Sequence, residues 1–66
     1  MDAMRDIMAE AYGRAIAAFL RASGGQAAVH ARDFGIERGD CSRAVRRLQR
    51  TGRIERVGDC VWRLKE

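Results

Sequence analysis

Residues 38–64 read RGDCSRAVRRLQRTGRIERVGDCVWRL, and the stretch changes its period part-way along. In the first half, Cys41, Ala44, Val45 and Leu48 recur at i, i+3, i+4 and i+7. That is one apolar stripe of a helix, predicted over 38–51 and stopped by Gly52. Asp40 falls in its first turn, where a negative charge suits the helix dipole. From Arg53 onward, RIERV and CVWRLKE alternate about Gly58-Asp59, as two short strands around a tight turn. A two-residue loop would set Val57 opposite Cys60 and Ile54 opposite Arg63. A three-residue loop, Gly58 to Cys60, pairs Ile54 with Leu64 and Arg56 with Trp62. The second register is preferred because it gathers Ile54, Trp62 and Leu64 on one face. Such a hairpin is barely stable alone and must lie on helices.

Working back from this stretch, residues 2–23 read as a helix. Met4, Ile7, Met8, Ala11, Tyr12, Ala15, Ile16, Phe19 and Leu20 recur at three- and four-residue spacings. Gly13 inside it costs about 1 kcal/mol relative to alanine, and marks a close helix contact or a fraying point. Ser23-Gly24-Gly25 ends the helix. A shorter helix is predicted over 26–34, with Ala27, Ala31 and Phe34 on one face and Gly35 as the stop. The predicted order is helix, helix, helix, hairpin: one mainly α domain over 1–66 with a small β-hairpin, and no repeat or proline-rich linker.

Charge is distributed unevenly over this order. Residues 1–31 carry three arginines and three acids, whereas 32–66 carry nine arginines, one lysine and six acids. Within Ser42–Arg53 there are five arginines and no acid. Arg43 with Arg47, and Arg46 with Arg50, are like charges four apart on a helix, and they repel. Compensation from an anionic partner is expected.

Other classes are disfavoured. A 66-residue chain buries roughly 60% of its unfolded surface, leaving little room for a catalytic cleft. No Ser-His-Asp, Cys-His or paired-carboxylate arrangement is present, so an enzyme is not expected. Cys41, Cys60 and His30 lack zinc-ligand spacing, and no metal, cofactor or small-molecule ligand is expected. Two cysteines make no disulfide framework and are predicted to be free thiols. No apolar run is long enough to span a membrane, and MDAMRDIMAE lacks the order of a secretory signal, so a cytoplasmic protein is expected.

The segment ARDFGIERGDCSRAVRRLQRTGRIERVG resembles the helix-turn-helix core of winged-helix DNA-binding domains. The likeness lies in the spacing of Ala31, Phe34, Gly35-Ile36, Cys41, Ser42-Arg43, Val45 and Leu48, then Gly52-x-Ile54 opening the wing. It covers about residues 15–64. The resemblance implies a three-helix winged helix-turn-helix fold and binding to double-stranded DNA, as in small transcriptional regulators. It implies that Arg38, Asp40, Ser42, Arg43 and Arg46 lie at or near base edges, and that Arg47, Arg50 and Arg53 touch phosphates. Arg56 and Arg63 would reach flanking backbone or minor groove from the wing. The chain departs from the family pattern in lacking Ser or Thr near Glu37 and Gly39, in the acidic Asp40, and in His30 where leucine is common.

Met1, Met4, Met8 and Tyr12 extend the first apolar stripe beyond what a three-helix core needs, and a homodimer through Met4, Met8 and Tyr12 is one expectation. Two alternatives to a regulator share the fold. One is a protein-interaction module, like phage or mobile-element products that inhibit host nucleic-acid enzymes or defence complexes. There the arginines would meet an acidic protein surface. The other is an excisionase-like architectural DNA-binding protein.

Overall fold

The computed structural model describes residues 2–65; Met1 lies outside the described residues. The elements are α1 (Asp2–Ala22), β1 (Gln26–Ala28), a 3-10 turn (Ala31–Phe34), α2 (Arg38–Arg50), β2 (Ile54–Gly58) and β3 (Val61–Leu64). Two α-helices pack on one three-stranded antiparallel sheet of order β1-β3-β2.

The helix expected over 26–34 is replaced by a strand and a single 3-10 turn, so the described residues form two α-helices and not three. Its cause is the unpaired edge that a lone hairpin leaves on β3. Such an edge exposes backbone donors and acceptors that require partners. Gln26, Ala27 and Ala28 supply them opposite Arg63, Trp62 and Val61. Two bonds extend the pairing: Leu64 N–H donates to Gly25 O at 2.7 Å, and Val29 N–H donates to Cys60 O at 2.7 Å. Alanine's helix preference is small beside a ladder of backbone bonds. The reversal out of α1 runs through Gly24 and Gly25, at φ 83° and 97°, values that side chains rarely allow. Gly25 N–H closes the helix by donating to Leu20 O at 2.8 Å.

The hairpin pairs Ile54 with Leu64 and Arg56 with Trp62, as the apolar parity predicts. The three-residue loop is replaced by a tip of Asp59 and Cys60, with Gly58 opposite Val61. Register is recovered by a bulge between Arg56 and Gly58, which leaves Val57 exposed. Cys60 takes a left-handed φ of 59° to close the tip.

Ile16, Leu20 and Ile54 are fully buried, and Val29, Cys41, Ala44, Val45 and Leu48 complete the core between α1, α2 and the sheet. Phe19 and Phe34 meet edge to face with ring centroids 5.3 Å apart. Gly13 is a close helix contact: a Cβ there would sit 3.5 Å from the Leu48 side chain, ordinary packing distance. Tyr12 packs on the core side of α1, whereas Met4, Ile7 and Met8 are exposed. Among the described residues no helix is long and apolar enough to cross a membrane.

Candidate nucleic-acid interface

α2 begins at Arg38 without a side-chain cap. Glu37 is the extended N-cap residue, and its carbonyl accepts from Cys41 N–H at 3.0 Å. The expected stripe is the buried one: Cys41, Ala44, Val45 and Leu48. At the C-terminus, Thr51 Oγ1 donates to Arg47 O at 3.0 Å, and Arg53 N–H donates to Leu48 O at 2.9 Å. Arg47 and Arg50 occupy the last turn, where cations suit the dipole.

With one side fixed in the core, the rest of α2 faces out and divides into two edges. Arg38, Ser42, Arg46 and Gln49 turn toward the hairpin. With Arg56, Trp62 and His30 they line a groove of about 540 Å³, and among the described residues no carboxylate lines it. On the other edge, Arg47 borders a smaller recess of about 160 Å³, shared with Arg53 and with Glu10 and Arg14 of α1.

The charges on α2 are mostly unanswered. Asp40 accepts from Arg43 Nη2 at 2.7 Å. The Arg43 guanidinium folds back over Gly39, where a Cβ would lie 3.6 Å from Nη2. Among the described residues, Arg38, Arg46, Arg47 and Arg50 form no ion pair. Their side chains are exposed.

On the hairpin the same residue type is neutralised. Arg56 donates to Asp59 Oδ1 and to Gly58 O, both at 3.2 Å. Arg63 pairs with its cross-strand neighbour Glu55, its Nε donating to Oε2 at 3.0 Å. The Arg63 hydrogen bond holds the Glu55 carboxyl below its ordinary value, against a smaller opposing desolvation. Arg56 and Arg63 are an odd number of residues apart across their register, so they take opposite faces of the sheet. Arg56 shares its face with Trp62 and lines the groove; Arg63 does not.

The structure therefore gathers Arg38, Ser42, Arg46 and Arg56 around one groove and sets Arg47 and Arg53 at another recess. It keeps Asp40 and Arg43 as a pair on the first turns, leaves Arg50 on the last, and separates Arg63 from all of them. Gln49, His30 and Trp62 are groove residues that the sequence reading did not select. Strand parity carried a signal for Trp62, because it places that residue beside Arg56. His30 follows β1, and its position depends on that unread strand.

The two thiols lie at the same groove in different states: Cys41 is buried and Cys60 exposed. Burial first, and then the nearby Cys60, push the Cys41 thiol up, so it stays protonated and acts as a small apolar group. Among the described residues there is no cluster of three or more potential metal ligands. Comparisons with protein-family models, with curated proteins and with solved structures find no match.

Proposed function

We propose that this chain is a small winged helix-turn-helix protein that binds double-stranded DNA sequence-specifically, acting in the cytoplasm as a transcriptional regulator. α2 enters the major groove, which is about 12 Å wide and admits a helix. The observation that carries this reading is the exposed side of α2, where Arg38, Arg46, Arg47 and Arg50 form no ion pair among the described residues. Four unpaired guanidinium groups on one short helix repel one another, and phosphates remove that repulsion while releasing counterions. A helix followed by strand, turn, second helix and hairpin, with the hairpin beside the second helix, also suits a winged-helix docking mode.

Roles follow from position. Arg46 and Arg43 reach base edges, with Asp40 holding the Arg43 guanidinium in one orientation so that its free N–H edge faces guanine. Ser42 and Arg38 contact the flanking bases or backbone. Arg47, Arg50 and Arg53 contact phosphates, which position the protein without reading sequence. Arg63 contributes little, because it is paired and lies on the other face of the sheet.

Selection from a random duplex pool, followed by anisotropy with the selected site, tests this reading. Enrichment of a defined motif, lost in Arg43→Ala and Arg46→Ala, is the expected result. No duplex binding at low salt would replace it with an acidic protein surface as the partner of the same face.

A homodimer is the second part of the proposal, supported by Met4 at 70% and Ile7 at 66% exposure on the first turns of α1. Tyr12 is half-buried against the core, which leaves Met4, Ile7 and Met8 for the contact. A strict monomer by light scattering at high concentration would remove it.

A further inference from the structure

We propose that the groove between α2 and the hairpin is a nucleotide-binding site, in which Arg46 and Arg56 hold a phosphate and Trp62 meets the attached base or sugar. This deepens the nucleic-acid reading of α2 and rests on it for the nature of the polyanion; Arg38 and Arg46 sit where the helix face meets the groove and belong to both. It assigns a ligand to the space beside α2 rather than to the outer face of the helix.

The groove combines two properties. Its rim is cationic: Arg38 and Arg46 come from one wall and Arg56 from the other, and among the described residues no carboxylate lines it. Arg38 and Arg46 make no ion pair among the described residues, and the Arg56–Asp59 pair is held by a fully exposed aspartate. An exposed pair of that kind contributes little and exchanges readily for a better anion. Arginine binds phosphate in a bidentate fork, a stronger contact than the pair it replaces. The floor, by contrast, is apolar, built from Val29, Val45 and the half-buried Trp62. A bare inorganic anion would leave that floor unused. A phosphate ester carrying a planar ring uses both, since every base has a π-face that stacks on an aromatic side chain. The volume, about 540 Å³, lies within the range of small-ligand pockets. An acidic peptide matches the rim and not the indole.

The same chemistry is offered by a free nucleotide and by an unpaired strand, whereas a duplex, with its bases stacked inside the helix, offers phosphate and sugar alone. Trp62 is the chain's one tryptophan, so its emission reports the groove directly. The experiment titrates the protein with adenosine monophosphate, an oligothymidylate, a short duplex and polyglutamate, following Trp62 fluorescence. Arg46→Ala and Arg56→Gln, both exposed positions, are carried in parallel and checked for folding by circular dichroism. Saturable quenching by at least one nucleotide ligand, weakened about tenfold in each variant, is the expected result. Which ligand acts at the lowest concentration identifies the source. Quenching by none of the three, quenching unchanged in both variants, or equal quenching by polyglutamate overturns the proposal. If duplex binding by anisotropy persists in the first two cases, the α2 reading survives while the groove site fails. If the duplex does not bind at all by anisotropy, the α2 reading fails with it.

Discussion

Arg56 and Arg63 on the hairpin each meet a carboxylate of their own hairpin, Asp59 and Glu55. On α2, among the described residues, only Arg43 does so, through Asp40. Both regions are exposed and arginine-rich, and they lie side by side. In the hairpin, cross-strand placement puts Glu55 opposite Arg63, and the tip brings Asp59 to Arg56, so each charge is answered within the sheet and its turn. On α2 the acids stop at Asp40, and the turns beyond it carry positive charge alone. Surface charge that serves folding is therefore separable here from surface charge that the fold does not use. We propose the second kind as the surface for a polyanion.

The strongest way to break this contrast is to reverse the α2 charges. Arg46→Glu combined with Arg47→Glu is expected to lower duplex affinity by about 100-fold or more at fixed salt, because like charges would then face the phosphates. A loss under about tenfold by anisotropy would mean that the α2 face is not the contact. Arg46→Ala alone is expected to cost about 1–3 kcal/mol and to relax sequence preference at one position. Competition between matched and mismatched duplexes measures both effects. Arg50→Ala sharpens the division within α2. It should weaken matched and mismatched duplexes alike and reduce the salt slope by about 0.9.

The smallest effects belong to the Glu55–Arg63 pair of the hairpin. Arg63→Ala is expected to leave duplex affinity within about twofold of wild type, since Arg63 lies on the sheet face away from α2 and its groove. Glu55→Gln should do the same and also remove a small pH dependence of stability. The folded Glu55 carboxyl is held below its unfolded value by Arg63. Its contribution is thus complete above the unfolded value and fades as pH falls through the folded one. Thermal melts of the two proteins across the acidic range should converge at the low end. A wild type that gains stability there relative to Glu55→Gln would contradict the sign.

Much of this arrangement was legible in sequence, for identifiable reasons. α2 carries four apolar residues at helical spacing between stretches of arginine, so its buried side admitted one solution. The strand pairs Ile54 with Leu64 and Arg56 with Trp62 followed from requiring one apolar face. The first strand was not legible. Gln26-Ala27-Ala28 has no alternation and favours helix locally, and its extended state comes from the distant edge of β3. The groove depends on that strand, on α2 and on the hairpin together, so no local pattern encoded it. Arg63 shows the opposite case. Parity separated it from Arg56 already, and grouping the two by residue type concealed that.

Binding of the unmodified protein to a labelled duplex, followed across a salt series, tests the central claim most directly. If about five phosphates are neutralised by the α2 face and its flanks, log affinity falls with log salt at a slope near about −4.5. A slope near zero, or no binding at the lowest salt, would contradict a polyanion-binding role for the unpaired arginines of α2.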